Sequence, residues 1–319
     1  MVGLKVTVRV PATTANLGPG FDCLGMALGL YNSITVWVTK GGLDVRIEGQ
    51  GATDLRWGEE NRVLRAIRAA FEEAGERLPG LLVELQNHIP LGRGLGSSAA
   101  ATVGGLVAAN ALCDNVLSIQ QLLRLATKLE GHPDNVAPAF LGGLVIVVQD
   151  EGQLAYDRIP APPDLEAALF VPQFSMPTAE ARKVLPHQIS RNDAVYNLGR
   201  VALLVAAFAK GNYDFLDIAT RDRLHQPYRE VIFPAMPALF NAAREAGALG
   251  VFLSGAGSTI LALCRGNAPE VTQAMAETGQ KLSIVGQAMV VPLTSQGAEA
   301  TVTKPPRERQ RQRGTEDHW

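Results

Sequence analysis

The stretch Pro90-Leu91-Gly92-Arg93-Gly94-Leu95-Gly96-Ser97-Ser98-Ala99-Ala100 sets three glycines at alternate positions, after a strand-like run (81–86, LLVELQ) and before a helical stretch from about Ser97 to Leu112. Glycine reaches positive φ without a Cβ penalty and leaves its backbone open to close approach. Ser97 and Ser98 fall at the helix start, where free N–H groups and the positive end of the helix dipole point outward. A strand, a glycine turn and a helix N-terminus in that order can cradle a phosphate. The segment is not a Walker A loop, because no Gly-Lys-Ser/Thr follows. Nor is it a full dinucleotide fingerprint: Gly96 comes one position early and Ser97 stands where the third glycine belongs. A tight turn capping a packed, amphipathic helix accounts for the same residues.

The rest of the chain alternates strand and helix patterns. Residues 4–10, 31–38 and 43–48 read as strands, with a Gly/Pro/Asn loop from Pro11 to Gly20, and 61–74 reads as a helix with Val63, Leu64, Ile67, Ala70 and Phe71 on one face. Ser118 and Gln121 fit a capping box that opens another helix, stopped by Gly131 and Pro133. A strand is expected at 143–149. The proline-rich stretch Ile159–Pro163 then divides an N-terminal domain, 1–160, from a C-terminal domain, 161–300. In the second half, strands at 166–171, 249–253, 259–264 and 286–293 are interleaved with helices across 178–222, near 235–246 and at 268–280. That order suits an α+β, split βαβ layout. Residues 301–319 are expected to form a disordered tail, basic and nearly devoid of apolar side chains from Lys304 onward.

Composition removes several function classes. Hydrophobic residues make up 47% of the 319 positions, enough for a sizeable core, and the length suggests about two domains. Lys and Arg number 29 against 31 Asp and Glu, so no basic field exists to hold nucleic acid or an anionic membrane. Cys23, Cys113 and Cys264 are far apart with no CxxC pair, which argues against a disulfide framework or a zinc knuckle. No signal-peptide pattern opens the chain, and apolar runs such as Val201–Ala209 fall far short of the roughly 20 residues that span a bilayer. A cytoplasmic protein with a small-molecule substrate is expected.

Four further constellations carry chemistry. Asn16 and Asp22 sit in the Gly/Pro-rich stretch 11–25 (PATTANLGPGFDCLG), where they can face a small polar ligand or merely satisfy loop backbone. Glu130, His132, Asp134 and Asn135 cluster at a helix end, and oxygen ligands there suit Mg²⁺ better than zinc. In the segment that opens at Thr178, Arg182 offers a guanidinium group for a carboxylate or phosphate, or simply for a surface ion pair, and Arg229 offers another later in the chain. Gly255 and Gly257 form a turn between two apolar strands, which alone reads as a hairpin.

Together these stretches resemble the homoserine kinases of the GHMP small-molecule kinase superfamily, over residues 4–293. The motifs are PATTANLGPGFDCLG, PLGRGLGSSAAA, EGHPDNVAPA, TAEARKVLP, HQPYR and LSGAGSTILAL. The resemblance implies a two-domain GHMP kinase fold, its N-terminal half like domain 2 of ribosomal protein S5 and its C-terminal half ferredoxin-like, usually as a homodimer. It implies that Pro90 to Ala100, with Gly255 and Gly257, wrap the phosphates of ATP and that Asn61 lies against the adenine. Ser98 and Glu130 would hold Mg²⁺. Asn16, Asp22, His132, Asn135, Thr178, Arg182 and Arg229 would surround L-homoserine, with Asn135, Arg182 and Arg229 closest to catalysis. The activity implied is transfer of a phosphoryl group from ATP to the homoserine hydroxyl, a step of threonine biosynthesis. Ala256 and Ser258 depart from the family's usual serine and proline in the third motif, and Arg93 replaces a residue that is often small.

Asn135 stands where other kinases of the superfamily place an aspartate, and an amide cannot take a proton. Catalysis is therefore expected from in-line positioning and electrostatic stabilisation, with the hydroxyl proton leaving to a phosphate oxygen or water. Three other readings compete. One is a related kinase for another small alcohol, such as mevalonate or a sugar. Another is a nicotinamide-dependent dehydrogenase, but Asp114 lies between two helices rather than at the end of a second strand. The third is a non-catalytic sensor of the same fold.

Overall fold

The computed structural model of the chain describes residues 2–53 and 61–304. Its first half is built on a long antiparallel hairpin, β1 (Lys5–Asn16) and β2 (Gly20–Thr39). The expected loop from Pro11 to Gly20 is instead mostly strand: β1 continues to Asn16 and the turn is only Leu17-Gly18-Pro19. Register shifts after Pro11 and after Ala15 absorb the irregular residues, and a proline is tolerated at such a bulge.

β3 (Leu43–Gly49) runs parallel to β4 (Gly80–Asn87), with α1 (Arg62–Glu73) between them in sequence. α2 (Ser97–Leu112), α3 (Ile119–Glu130) and the short α4 (Val136–Leu141) follow, then the hairpin β5 (Leu144–Asp150) and β6 (Gln153–Ile159). α3 opens with the expected Ser118–Gln121 capping box, and Gly131 closes it in the left-handed region. α2 is not amphipathic. It has no charged residue and no exposed position, because it lies between the sheet and α1. Gly104 and Gly105 allow that approach: a Cβ on Gly104 would stand 2.1 Å from Ile34 Cδ1, and one on Gly105 2.6 Å from the Val63 carbonyl.

The second half opens with β7 (Glu166–Pro172). It continues through α5 (Thr178–Lys183), α6 (Arg191–Lys210), α7 (Leu216–Ala219), α8 (Gln226–Arg229) and α9 (Met236–Glu245). β8 (Gly250–Leu253), β9 (Ile260–Cys264), α10 (Ala268–Lys281) and β10 (Gly286–Pro292) complete a four-stranded antiparallel sheet, ordered β10-β7-β9-β8. Counted within this half the order is 4-1-3-2 with helices between strands 1 and 2 and between 3 and 4, the ferredoxin-like arrangement. Phe170, Leu239, Phe240, Val271 and Met275 form its core against α9 and α10.

The last described strand, β11 (Glu299–Thr303), returns to the first sheet and pairs with β1, Glu299 opposite Arg9 and Thr303 opposite Lys5. The expected tail from residue 301 is thus corrected for Thr301 to Thr303: three consecutive β-branched residues find the open edge of β1. Residues 305–319 lie outside the described residues. No described helix is long and apolar enough to cross a membrane.

Candidate active site

A cleft of about 1070 Å³ gathers segments that are far apart in sequence: Asp22, the start of α1, Leu91 to Ala99, Glu130 to Asn135, Met176 to Arg182, and Gly255 to Gly257. Backbone hydrogen bonds hold them together. Thr13 N–H donates to the Leu95 carbonyl (3.2 Å), Met176 N–H to Gly92 (3.3 Å), Thr259 N–H to Arg93 (3.0 Å), and Gly255 N–H to Ala15 (3.1 Å). Gly92, Gly94 and Gly96 all take positive φ, at 63°, 78° and 67°. A Cβ on Gly94 would lie 2.0 Å from the Ser254 carbonyl, and one on Gly96 1.9 Å from Thr13 Oγ1. The glycine turn is therefore pinned between the first and third motifs.

Gly96 is the N-cap of α2, and no side chain caps the helix. The first amides of a 16-residue helix thus open into the cleft, where a phosphate oxygen can accept from them. Pro90 and Ala100, expected among the phosphate ligands, do not line the cleft; both are buried just outside it. Asn61 lines the cleft while its side chain caps α1, accepting from Val63 N–H at 2.9 Å.

The Glu130 carboxylate is 6% exposed. It accepts from Ser98 Oγ, from Thr102 Oγ1 at 2.6 Å and from Arg62 Nη1 at 3.1 Å. This is a hard-oxygen pair at the mouth of the phosphate turn. No group of three or more His, Cys, Asp or Glu suited to a metal occurs among the described residues. One carboxylate and one hydroxyl match how Mg²⁺ is held when phosphates and water supply its other ligands.

At the other end of the cleft Arg182 and Asp22 meet as a bidentate pair, Nη2 to Oδ1 at 2.7 Å and Nη1 to Oδ2 at 3.0 Å. That contact raises Arg182 above its ordinary value. Asp22 has φ +59°, and its N–H donates to Asn16 Oδ1 (3.0 Å), which fixes its direction. His132 Nδ1 lies 2.8 Å from Asp134 Oδ1, and this bond raises the imidazole against the opposing effect of burial. Asp134 Oδ1 also accepts from the Asn135 N–H and side-chain amide, at 2.9 and 3.3 Å. Asn135 Oδ1 in turn accepts from Thr13 Oγ1 at 2.8 Å. Cys23 is pushed up to about 11, mainly by burial, and stays a thiol. Thr178 lines the cleft at the start of α5.

Asn16 and Arg229 do not line the cleft; they stand directly behind it. Both donate to the carbonyl of Gly255, Asn16 Nδ2 at 3.0 Å and Arg229 Nη1 at 2.8 Å. Arg229 is 2% exposed, and its other partners are the Ala181 carbonyl (3.4 Å) and His225 Nδ1 (3.0 Å). Burial, with the charge of Arg182 adding to it, pushes the guanidinium down to about 10. Among the described residues no carboxylate forms a salt bridge with it, and Nη2 has no hydrogen-bond partner.

Comparison with known proteins then decides the family. The model for the GHMP kinases N terminal domain matches residues 61–143, and that for the GHMP kinases C terminal matches 204–281. A homoserine kinase of Moorella thermoacetica is 49% identical over 84% of this chain and 90% of its own length. One from Synechocystis is 43% identical over 94% and 99%. The chain belongs to the homoserine kinase family. The crystal structure of a homoserine kinase from Cytophaga hutchinsonii superposes with a TM-score of 0.85 at 33% identity, covering 93% of this chain and 97% of that one.

Two of the departures from the family's motifs, Ser258 and Arg93, have structural roles here. Ser258 Oγ donates to the Phe174 carbonyl (2.7 Å), and Arg93 donates to the carbonyls of Leu91 (3.2 Å) and Gln173. Both clasp the segment that leads into α5. Sequence reading missed Thr13, Thr102, Ser254 and His225 as site residues. Thr13 stood within the quoted first motif and His225 opened HQPYR, so proximity to motif residues was the available signal. Ser254 likewise stood within LSGAGSTILAL, whereas Thr102 gave no signal, since an isolated hydroxyl among small apolar residues reads as core.

Proposed function

We propose that this chain transfers the γ-phosphoryl group of ATP to the side-chain hydroxyl of L-homoserine, releasing ADP and O-phospho-L-homoserine, a step of threonine biosynthesis. The observation that carries this reading is the pairing, in one cleft, of an uncapped helix N-terminus under the glycine turn with the Asp22–Arg182 ion pair. An α-amino acid presents the matching charges, its ammonium for Asp22 and its carboxylate for Arg182. Arg229, cationic and in no salt bridge among the described residues, adds a second attraction for the carboxylate from behind.

The phosphate turn and the first amides of α2 bind the triphosphate. Ser98 and Glu130 would hold Mg²⁺, which supplies charge neutralisation between the phosphates when bound. Among the described residues, each carboxylate at the substrate end and beside the phosphate turn is already engaged: Asp22 by Arg182, Glu130 by Ser98, Thr102 and Arg62, Asp134 by His132 and Asn135. Asn135 is fixed by Thr13 as an amide that orients and does not accept a proton. The residues thus align the hydroxyl with the γ-phosphorus. As the new P–O bond forms and the bond to ADP breaks, the hydroxyl proton passes to a phosphate oxygen.

Incubating the protein with ATP, Mg²⁺ and separately homoserine, mevalonate, shikimate and galactose, and measuring ADP, tests the assignment. Homoserine-dependent ADP is expected; equal use of another alcohol would sink it. A homodimer in the cytoplasm is the form that family resemblance supports, and sedimentation of the purified chain checks the first half of that statement.

A further inference from the structure

His225 belongs to no element of the reaction described so far, yet it is fully buried and touches both halves of the substrate end of the cleft. Its Nε2 lies 2.7 Å from the Gly18 carbonyl, and its Nδ1 lies 3.0 Å from Arg229 Nη1. A carbonyl only accepts and a guanidinium only donates, so these two contacts select one tautomer: Nε2 carries the proton and Nδ1 is bare. Burial agrees with that neutral form, pushing the imidazole down to about 4. The ring stacks on Phe21 with centroids 5.2 Å apart, and the guanidinium carbons of Arg182 and Arg229 lie 5.3 and 5.8 Å from the same Phe21 ring.

We propose that His225 is a positioning residue that sets Arg229 and the first-motif turn in one register, holding the arginine by a neutral acceptor so that its charge stays available to the substrate carboxylate. The inference rests on the homoserine reading above. A carboxylate at position 225 could orient Arg229 equally well, but it would neutralise the cation that the substrate needs. An imidazole with a bare nitrogen fixes direction and leaves the charge. The neighbouring carboxylate, Asp222, has Oδ2 3.5 Å from His225 Nε2, which agrees with a proton on that nitrogen, and is held by closer donors: Oδ1 accepts from Asn197 Nδ2 (2.8 Å) and Leu224 N–H (2.7 Å), and Oδ2 from the backbone N–H groups of His225 (2.9 Å) and Gln226 (2.7 Å).

The other contact of the imidazole fixes the opposite wall. Gly18 has φ +85°, and a Cβ there would lie 2.0 Å from the Thr220 carbonyl, so the turn is pressed against the chain that leads to His225. The bond from Nε2–H to Gly18 then fixes where the following residues, Phe21 and Asp22, emerge. One imidazole thereby sets the spacing between the group offered to the ammonium and the group offered to the carboxylate.

The test is a set of variants read as separate KM values. His225→Leu removes both bonds; it should raise homoserine KM roughly tenfold or more and leave ATP KM within about twofold. His225→Gln keeps one donor and one acceptor and should stay within roughly threefold of wild type. With Arg229→Met as background, adding His225→Leu should raise homoserine KM by a clearly smaller factor than it does in wild type, because the part of its effect carried by the arginine is already lost and only the part carried by the Gly18 turn remains. Penalties that multiply in the double variant, a joint rise of both KM values, or an unchanged homoserine KM in His225→Leu would each overturn the proposal. Nitrogen-15 NMR of wild type gives a further arm that does not depend on how the variants fold. A bare Nδ1 and protonated Nε2 are expected, and a protonated Nδ1 overturns the assignment. A wild type without homoserine-dependent turnover would remove the functional reading instead, while the NMR arm would still decide the tautomer.

Discussion

Asp22 and Arg182, separated by 160 positions in sequence, face each other as a bidentate pair at the substrate end of the cleft. Their side chains are 36% and 39% exposed, so the pair adds little to stability and its two charges remain exchangeable for those of a ligand. Asp22→Asn should raise homoserine KM roughly ten- to hundredfold, the cost of a lost charge-assisted hydrogen bond, with ATP KM and Tm nearly unchanged. Steady-state kinetics with each substrate varied in turn checks this; an equal loss for ATP would place the pair elsewhere in the reaction.

Ser98 and Thr102 bond different oxygens of Glu130; Glu130→Gln keeps one of them as an acceptor, offers the other hydroxyl an N–H donor, and removes the charge. The fold should persist, and the Mg²⁺ concentration giving half-maximal rate at fixed ATP should rise roughly tenfold. A metal titration reads the effect directly. An unchanged midpoint would remove Glu130 from the metal's ligands.

The phosphate turn should tolerate no side chain at its centre. Gly94→Ala places a Cβ 2.0 Å from the Ser254 carbonyl at a φ of 78°, so backbone must move and ATP KM should rise by roughly tenfold or more. Gly42 also has positive φ, at 82°, but nothing lies within 4 Å of its Cβ position. Gly42→Ala should cost only about 1 kcal/mol, seen as a small drop in Tm with both KM values intact.

Acid should weaken the fold through His225. In the unfolded chain the imidazole titrates near 6.5; burial holds it at about 4 in the folded one, with Asp222, Asp22 and Arg229 as the charged groups around it. Between those values the unfolded chain takes up a proton that the folded chain refuses. The stabilisation is complete above pH 6.5 and is lost as pH falls toward 4, with a slope approaching about 1.4 kcal/mol per pH unit. Denaturant titrations at several pH values measure that slope, and His225→Gln should reduce it.

Much of this was legible in the residues. The α1 and α3 patterns, the capping box of Ser118 and Gln121, and the glycine turn before α2 all depend on local spacing, which the sequence displays. What depends on distant partners was hidden. Pro11 to Asn16 carry turn-like residues, yet they form strand because β2 supplies a ladder with two register shifts. β11 is fully exposed and polar in pattern, and only the free edge of β1 makes it a strand. The burial of α2 on all sides follows from the layers packed around it. Arg182 suggested an anion site, but neither its pairing with Asp22 nor the recessed place of Arg229 could be read from spacing, since both are set by how α5 and α8 meet the first-motif turn.

Phosphorus NMR of a reaction holding ATP, Mg²⁺ and L-homoserine asks the central question most directly. A phosphomonoester resonance coupled to the side-chain methylene protons of homoserine should grow in step with ADP. ATP left intact, or ADP appearing with inorganic phosphate and no ester, would contradict the account.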